Sequence, residues 1–530
     1  MLLLILIQII KTWWLNGDKI DKLIEMTHLD SYDDFLKVSE LYKLGFLPTE
    51  MQHPLTLQLS DKANNSLFDA ANMFYELDKN AINASLKHTD NIKELRKTVQ
   101  KVLASKGKIF ICGCGATGRL ALKIESFFRQ IFPEHSEQIV GFMAGGDIAL
   151  VHSLEGYEDH PEYGENHLKQ LNFTKNDLML GVTEGGETPY VLGATKAAAQ
   201  ISHHKVFMLC CNPREILINN IERSRHVIED PNVTSVHIDT GPMALSGSTR
   251  LQATTALMSF LGLSLLSENL EEDIKLIQEQ IQLNHYLAIL PMIEFESEVY
   301  RMQKYVHYNV TKNLALTAFT DTTERAPTFS TPSFEPTTML TSSPSWCYIS
   351  LIESLDEKQA WLQLLGRSPY SLNWPGDHKT TSNYMSEFDF SVISKLKRVR
   401  RLGDLRYIDV IDGSRDISFN FNNQLIDIPV CNNLWIKNLL LKLLLNFHST
   451  VVMCRLGRVE SNMMTWVRPS NGKLIDRATR YLLALTNNSV SYEEALKIIL
   501  EQKNYLKPDE SIIFKAKEIA LKKSFIPIAT

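Results

Sequence analysis

The sequence has no long run of basic residues and no RNA-binding or zinc-finger motif. Its 55 lysines and arginines are outnumbered by 61 aspartates and glutamates, which gives a formal charge of −6. A mildly acidic chain of this kind lacks the electrostatic footprint of a nucleic-acid-binding protein, so we expect no nucleic-acid partner. At 530 residues and 44% apolar composition, the chain can bury more than one large core.

Cysteine is scarce and irregularly spaced, with seven in the chain. This pattern argues against a secreted fold held together by disulfides. Cys112 with Cys114, and Cys210 with Cys211, are too close in sequence for ordinary bridges or a zinc site. We expect them to line buried strand ends, and we take the cytoplasm as the expected compartment.

The apolar run at residues 1–10, MLLLILIQII, is far shorter than the ~20 residues that span a bilayer. No positive charge precedes it and no small-residue cleavage site follows it, as a secretory signal would require. We therefore expect no membrane association, and a true start of synthesis near Met26. Residues 1–47 are interpreted as an N-terminal extension.

Short apolar segments alternate with helical patterns from residue 108 to residue 266, after a helical lead-in from Pro48. The segments KIFICGC, QIVGFMAGG, DLMLGVT and KVFMLCCN are separated by helices of about a dozen residues. This alternation predicts a doubly wound parallel sheet with helices on both faces, and hence a first α/β domain over residues 48–266.

A second, weaker alternation runs through NLALTAFTDTTE, SWCYISLI, YIDVIDG and LIDIPV, and a long helix follows from about Asn432. We expect a second α/β domain over residues 267–469. The tail, residues 470–530, is amphipathic and helical, with a capping box at Ser491 and Glu494. The predicted fold is therefore α/β, with two doubly wound parallel-sheet domains in tandem and a C-terminal helical cap.

Four loops combine glycine with hydroxyl residues just before a predicted helix: GCGATGR (113–119), AGGD with LEGYED (144–147 and 154–159), GVTEGGETP (181–189) and LSGSTR (245–250). In an open parallel sheet, ligands bind at the carboxyl ends of the strands, where helix N-termini present free N–H groups. Four such loops together predict an anionic ligand such as a sugar phosphate. The ligand-binding residues expected there are Gly115, Ala116, Thr117, Gly118, Glu158, Thr183, Glu187, Ser246 and Ser248.

A dinucleotide is the main alternative for the first loop, because GCGATG satisfies the pattern G-x-G-x-x-G. However, no acidic residue ends a second strand about twenty positions later, as ribose binding would require. The loop is not a Walker motif either, since no Lys-Ser/Thr pair follows Gly118. We expect no cofactor and no metal.

These motifs, with CNP and LSGSTRLQ in the same order, resemble the sugar isomerase (SIS) domain. More narrowly, they resemble the branch shared by N-acetylmuramic acid 6-phosphate etherase and glucokinase regulatory protein, from about Pro48 to Glu501. The etherase is a half-length chain that pairs as a dimer, whereas the regulatory protein fuses two such domains with a helical lid. This chain resembles the second plan, which implies a monomer with an internal pseudo-dimer.

The resemblance also implies roles for carboxylates, because etherase chemistry needs one as base and another as acid. Glu158 falls on one member of that pair, and Phe127 stands at the position of the other. Glu125 lies two residues away and is expected to be a solvated residue on the opposite helix face. Glu324, in DTTERAPTF, falls on the family's glutamate and is expected to contact the sugar across the pseudo-dimer interface. The alternative for Glu324 is a structural glutamate at a helix start.

In RPSNGKLIDRA, Lys473 falls on the family's lysine that reaches the phosphate from the cap. The second domain's own glycine turn is reduced to HYNVTKNL, so we expect no phosphate there. The chain departs from the family at Ala116, which replaces a hydroxyl residue, at Gln252, where a lysine is usual, and at Glu184 and Glu187. Those two carboxylates would repel a phosphate unless they turn outward or bind sugar hydroxyls.

Three functions remain open from the sequence. The first is a non-catalytic regulator that senses a hexose phosphate such as fructose 6-phosphate and holds glucokinase or another sugar kinase. The second is an etherase that releases D-lactate, with Glu158 and Glu324 as the catalytic pair. The third, a phosphosugar isomerase, would want a histidine for ring opening, and His307 is more simply explained as structural. The fused two-domain plan favours the regulator.

Overall fold

The computed structural model describes residues 32–154, 156–337, 343–374, 377–507 and 509–524. The apolar run at residues 1–10 and Met26 lie outside the described residues. The chain divides into two compact units, Leu47–Met464 and the pair of segments Met1–Phe46 and Thr465–Thr530. The first described helix, α1 (Tyr32–Val38), belongs to the segmented unit. The predicted boundaries after residues 47, 266 and 469 stay predictions.

The first sheet of Leu47–Met464 has five parallel strands in the order β2-β1-β3-β4-β5. The strands are β1 (Ile109–Gly113), β2 (Ile139–Met143), β3 (Leu178–Val182), β4 (Val206–Cys210) and β5 (Val233–His237). Every residue of β1 to β4 is buried, as expected for a sheet covered on both faces. Cys112 and Cys210 lie in these buried strands. The strand order reverses between β1 and β3, so a ligand site is expected at their carboxyl ends.

Helices precede, cover and follow this sheet. They are α2 (Leu59–Asn65), α3 (Leu67–Leu86), α4 (Thr89–Ala104), α5 (Gly115–Ile131), α6 (Pro161–Gln170), α7 (Pro189–Ile201), α8 (Arg214–Asn220), α9 (Glu222–Ile228) and α10 (Gln252–Leu261), which continues into a π-helical turn at Gly262–Leu266. Three more follow, α11 (Leu270–Gln280), α12 (Leu283–Ala288) and α13 (Leu290–Arg301). The predicted helical lead-in from Pro48 is thus present as α2 to α4.

The second sheet has the order β10-β9-β8-β6-β7. Its strands are β6 (Tyr305–Val310), β7 (Cys347–Leu351), β8 (Leu405–Asp412), β9 (Asp416–Phe421) and β10 (Gln424–Pro429). The α/β class is confirmed, but only β7, β6 and β8 are parallel among these five strands, whereas β9 and β10 form an antiparallel hairpin. The hairpin turns at Asn422 and Asn423, both with positive φ, as tight two-residue turns require.

The helices of the second sheet are α14 (Lys312–Phe329), α15 (Glu357–Leu365), α16 (Ser382–Met385), α17 (Val392–Leu402) and α18 (Leu434–Arg455). The segment NLALTAFTDTTE lies entirely within α14, because the strand of that β–α unit is the preceding Tyr305–Val310. The two-residue strands β11 (Val459–Glu460) and β12 (Met463–Met464) end this unit. Within it, α5 packs against α14 and α15, and α10 packs against α18, so helices of the two sheets meet directly.

The segmented unit is built from helices α1, α19 (Gly472–Leu485), α20 (Tyr492–Lys503) and α21 (Ile512–Ser524). Its core is formed by Phe35, Tyr42, Ile475, Leu496 and Leu500. The predicted capping box at the start of α20 is confirmed, with both reciprocal hydrogen bonds present. Among the described residues, no helix is long and apolar enough to cross a membrane.

Candidate functional site

The glycine turn joins β1 to α5 by a close approach of backbone and side chain. A Cβ atom on Gly118 would lie 2.5 Å from the Cβ of Met143 at the end of β2, so only glycine fits there without a shift. Gly115 has φ +53°, a left-handed conformation that glycine adopts at little cost. The buried Thr117 hydroxyl donates to the carbonyl of Cys114 at 2.9 Å and accepts from its N–H at 3.1 Å. This hydroxyl therefore fixes the first turn of α5.

Glu158 lies beside this turn. The Cys114 thiol donates to the Oε2 of Glu158 at 3.6 Å. The backbone carbonyl of Glu158 accepts from the N–H of Tyr190 at 3.0 Å. The side chain is only partly buried. The structure thus brings the second loop to the N-terminus of α5.

The loop after β3 has its two unexpected carboxylates turned into the protein. Glu187 accepts from the Arg223 guanidinium at 2.7 Å, and Glu184 accepts from the Thr254 hydroxyl at 3.1 Å. Thr183 is fully buried, with its hydroxyl 3.0 Å from that of Thr188. An internal partner for each carboxylate reduces the repulsion that they would exert on an anion.

The loop before α10 is held by its own serine. The Ser246 hydroxyl donates to the carbonyl of Glu50 at 3.0 Å, and Ser248 is buried two residues later. The loop ends at Arg250, whose guanidinium donates to Asp321 of α14 at 2.9 Å and to Ser449 of α18 at 3.2 Å. The fourth predicted loop is thereby tied to the second sheet.

Glu324 lies in the C-terminal third of α14 and forms a buried ion pair with Arg119 of α5. The Arg119 side chain is 1% exposed and also donates to the carbonyls of Ala149 at 2.6 Å and Leu150 at 3.3 Å. Glu324 therefore reaches across to the helix that follows the glycine turn, and it does not stand at a helix start.

A cleft opens where α5, α14, α18 and the start of α10 meet, with about 340 Å³ of empty space, part of it open to solvent. It is lined by Ala116, Leu120, Lys123, Arg250, Thr254, Thr317, Thr320, Asp321, Glu324, Lys442 and Asn446. The cleft adjoins the glycine turn through Ala116 and the β3 loop through the Thr254–Glu184 contact.

Two buried lysines line the cleft and differ in their surroundings. Lys442 donates to the carbonyl of Leu251 at 3.1 Å, to Thr255 at 2.7 Å and to Asn446 at 2.9 Å. Burial lowers the pKa of both amines, and that of Lys123 falls to about 7 even though nearby carboxylates oppose the shift. Both lysines were missed in the sequence, because each lies inside a mostly apolar helical pattern.

Comparison with known proteins agrees with these motifs. The family described as glucokinase regulatory protein N-terminal SIS domain matches residues 91–199. N-acetylmuramic acid 6-phosphate etherase of Lactococcus lactis subsp. cremoris is 31% identical over 247 residues, which cover 45% of this chain and 78% of the relative. The etherase of Rhodopirellula baltica is 32% identical over 216 residues, 41% of this chain and 67% of the relative.

The chain belongs to the SIS-domain family of N-acetylmuramic acid 6-phosphate etherase and glucokinase regulatory protein. Among solved structures, tagatose-6-phosphate ketose/aldose isomerase of Escherichia coli aligns with a TM-score of 0.43 and 11% identity, over 74% of this chain and 94% of the isomerase. The C-terminal domain of glucosamine-fructose-6-phosphate aminotransferase of Francisella tularensis aligns with a TM-score of 0.40 and 13% identity, over 73% of this chain and 95% of that domain.

Phe127, which we expect at the family's acid position, is buried in α5. Glu125 is also buried, so the expectation of a solvated surface residue is wrong. Its carboxylate accepts from Arg367 at 2.8 Å and from Arg129 at 3.2 Å, and burial raises its pKa. Glu125 is buried because α15 of the second sheet covers this face of α5, and Arg367 follows α15 in the chain.

The other predicted residues divide between the two units. His307 is buried in β6, with its Nε2 3.0 Å from the Ser350 hydroxyl, which fits a structural histidine. Lys473 is the second residue of α19 in the segmented unit, and its contact with a phosphate stays a prediction. Arg119 and Arg250 were missed as site residues. They could have been found, since each ends one of the quoted loops, GCGATGR and LSGSTR.

Proposed function

We propose that this member of the family is a phosphosugar-binding regulatory protein. It binds a hexose phosphate such as fructose 6-phosphate and thereby controls a sugar kinase of the glucokinase kind. The observation that carries the proposal is the Arg119–Glu324 pair at the cleft. A ligand there contacts the glycine-turn helix of one sheet and a helix of the other at once, so its occupancy can change how the two sheets pack.

The phosphate is expected at the N-terminus of α5, beside Glu158. The first N–H groups of a helix have no intrahelical acceptor and carry partial positive charge, which suits an anion. Gly115 and Ala116 supply those groups, and Gly118 lets α5 approach the strands closely. From this point the sugar extends into the cleft toward Glu324, with the hydroxyls of Thr254 and Thr317 as further polar contacts.

Two features support binding without turnover. Phe127 replaces the family's acid on α5, and general acid or base groups contribute roughly 10²–10⁴-fold each. Glu324 is held by Arg119, so its carboxylate is positioned as a hydrogen-bond acceptor rather than as a free proton donor. A site of this kind retains the ligand contacts and loses the proton transfer.

Calorimetric titration with fructose 6-phosphate tests the binding. We expect Glu324→Gln to weaken the affinity about tenfold, the scale of a lost charge-assisted hydrogen bond. The matched control is Glu335→Gln, because Glu335 is also buried and paired with arginine in the second sheet's region but does not line the cleft. The proposal fails if fructose 6-phosphate does not bind, or if both variants bind like the wild type.

The regulatory half of the proposal has its own test. Adding the purified protein to a glucokinase assay should lower turnover, and fructose 6-phosphate should change the extent of that inhibition. Turnover that is identical with and without the protein, at all ligand concentrations, would remove the kinase from the proposal.

The second candidate is a fused N-acetylmuramic acid 6-phosphate etherase. It is favoured by the names of the curated relatives and by the presence of both Glu158 and Glu324. It differs from the regulator in one product, because an etherase releases D-lactate and a binding protein releases none.

A further inference from the structure

Lys123 is a buried lysine of the cleft. It is 2% exposed and lines the cleft, about 10 Å along α5 from Ala116, seven residues at the ~1.5 Å rise of a helix. In the part of the chain that the structure describes, its ammonium makes no hydrogen bond and no ion pair. Burying an unpaired ammonium is costly, so a protein that keeps one in a cleft has a use for it.

The carboxylates nearest to Lys123 are already bound by arginines. Asp321 accepts from Arg250 at 2.9 Å and from Arg325 at 3.0 Å, and Glu324 is paired with Arg119. Neither carboxylate therefore satisfies the Lys123 ammonium.

A second unused donor belongs to the same cleft. The Nε of Arg250 is buried and has no hydrogen-bond partner among the described residues. Lys442 shows the contrast, since its amine has three acceptors from the protein itself. The cleft thus holds cationic groups whose hydrogen-bonding capacity the protein does not use.

We propose that Lys123 forms a second anion subsite, which holds a carboxylate or phosphate at the end of the phosphosugar remote from the phosphate bound at α5. The inference rests on the proposed function, because the first phosphate fixes which end of the ligand reaches Lys123. Since a lysine ammonium acts as a compact point charge, it accepts either kind of anion. The protein is then selective for doubly anionic phosphosugars over a simple hexose phosphate.

The subsite works only with the ammonium form of Lys123. Since burial lowers the pKa of the unoccupied lysine to about 7, binding a second anion above that pH requires the uptake of a proton. Selectivity should therefore fall as the pH rises. The charged groups that line the cleft with Lys123 are Asp321 and Glu324 of α14, Lys442 of α18, and Arg250 before α10.

The test measures three affinities for the full-length protein by calorimetry. The probes are fructose 6-phosphate, 6-phosphogluconate with its terminal carboxylate, and fructose 1,6-bisphosphate. For the wild type at about pH 6.5, we expect at least one doubly anionic probe to bind about ten- to hundredfold more tightly than fructose 6-phosphate. Which of the two is preferred distinguishes a carboxylate subsite from a phosphate subsite.

The variant Lys123→Met should bring the ratio of the two affinities, doubly anionic probe to fructose 6-phosphate, close to one. The control Lys437→Met removes another buried lysine, which donates to Asp412 and does not line the cleft, and should keep the ratio. In the wild type, raising the pH from about 6.5 to about 8.5 should reduce this affinity ratio at least tenfold. This measurement uses only the wild-type protein, so it does not depend on whether a variant folds.

A wild-type ratio near one, or a ratio that Lys123→Met leaves unchanged, overturns the subsite while binding of fructose 6-phosphate still upholds the proposed function. If none of the three probes binds, the proposed function fails and the subsite fails with it.

Discussion

Arg119 and Glu324 form a buried ion pair although 205 residues separate them in the chain. Arg119 follows the glycine turn of the first sheet, and Glu324 lies on the first helix after β6 of the second sheet. The same guanidinium binds the carbonyls of Ala149 and Leu150. One side chain therefore connects the glycine turn, the loop after β2 and the second sheet.

Replacing Arg119 by methionine should destabilise the unit Leu47–Met464 strongly. Glu324 and two carbonyls would lose their donor inside the protein, and breaking a buried pair from one side costs about 3–5 kcal/mol. The free energy of unfolding, measured by urea titration, checks this. The control Arg214→Met removes an exposed arginine paired with Glu215 and should stay within about 0.5 kcal/mol of wild type. Equal effects of the two substitutions would show that the pair does not hold the sheets together.

Thr117→Val should lower the free energy of unfolding by about 0.5–2 kcal/mol, the usual loss for a helix cap. The hydroxyl that it removes both donates to and accepts from the backbone of Cys114. Thr117→Ser keeps the hydroxyl and should recover most of the stability. If the valine variant unfolds at the same urea concentration as wild type, the hydroxyl has no capping role.

The buried His167 should lower the free energy of unfolding in acid. Burial, aided by the nearby Arg367, lowers its pKa to about 3, whereas the unfolded chain takes up a proton near pH 6.5. Between these values the unfolded state binds more protons than the folded state, so the free energy of unfolding falls with decreasing pH. The contribution approaches about 1.4 kcal/mol per pH unit.

Urea titrations at about pH 6.5 and about pH 5 measure this slope. His167→Asn should make it shallower by up to about 1.4 kcal/mol per pH unit. The control His226→Asn changes an exposed histidine on α9 and should leave the slope as in wild type. A slope that is the same in all three proteins would contradict the assignment to His167.

The first sheet was predictable because its buried strands are continuous apolar runs followed by glycine loops. The fate of Glu125 was not predictable, since helical periodicity places it opposite Phe127 but cannot reveal that Arg367, 242 residues away, covers that face. The antiparallel hairpin of the second sheet had a readable signal in Asn422 and Asn423, which favour a tight turn between alternating strands.

The cleft itself was only partly predictable. The glycine loops and the resemblance to the family pointed to Ala116 and Glu324, and both line it. Lys123 and Lys442 could not be identified, because a single lysine in an apolar helix normally extends its ammonium to solvent. Only the packing of α5 and α18 against the other sheet's helices buries them.

Incubation of the purified protein with N-acetylmuramic acid 6-phosphate, with D-lactate as the readout, tests the central claim of binding without turnover most directly. We predict no lactate above the rate without protein, while fructose 6-phosphate binds and stabilises the fold. The reason is that we expect Phe127 at the acid position, and that Glu324 is held by Arg119. Robust lactate release that is lost in both Glu158→Gln and Glu324→Gln would contradict the account and identify a fused etherase.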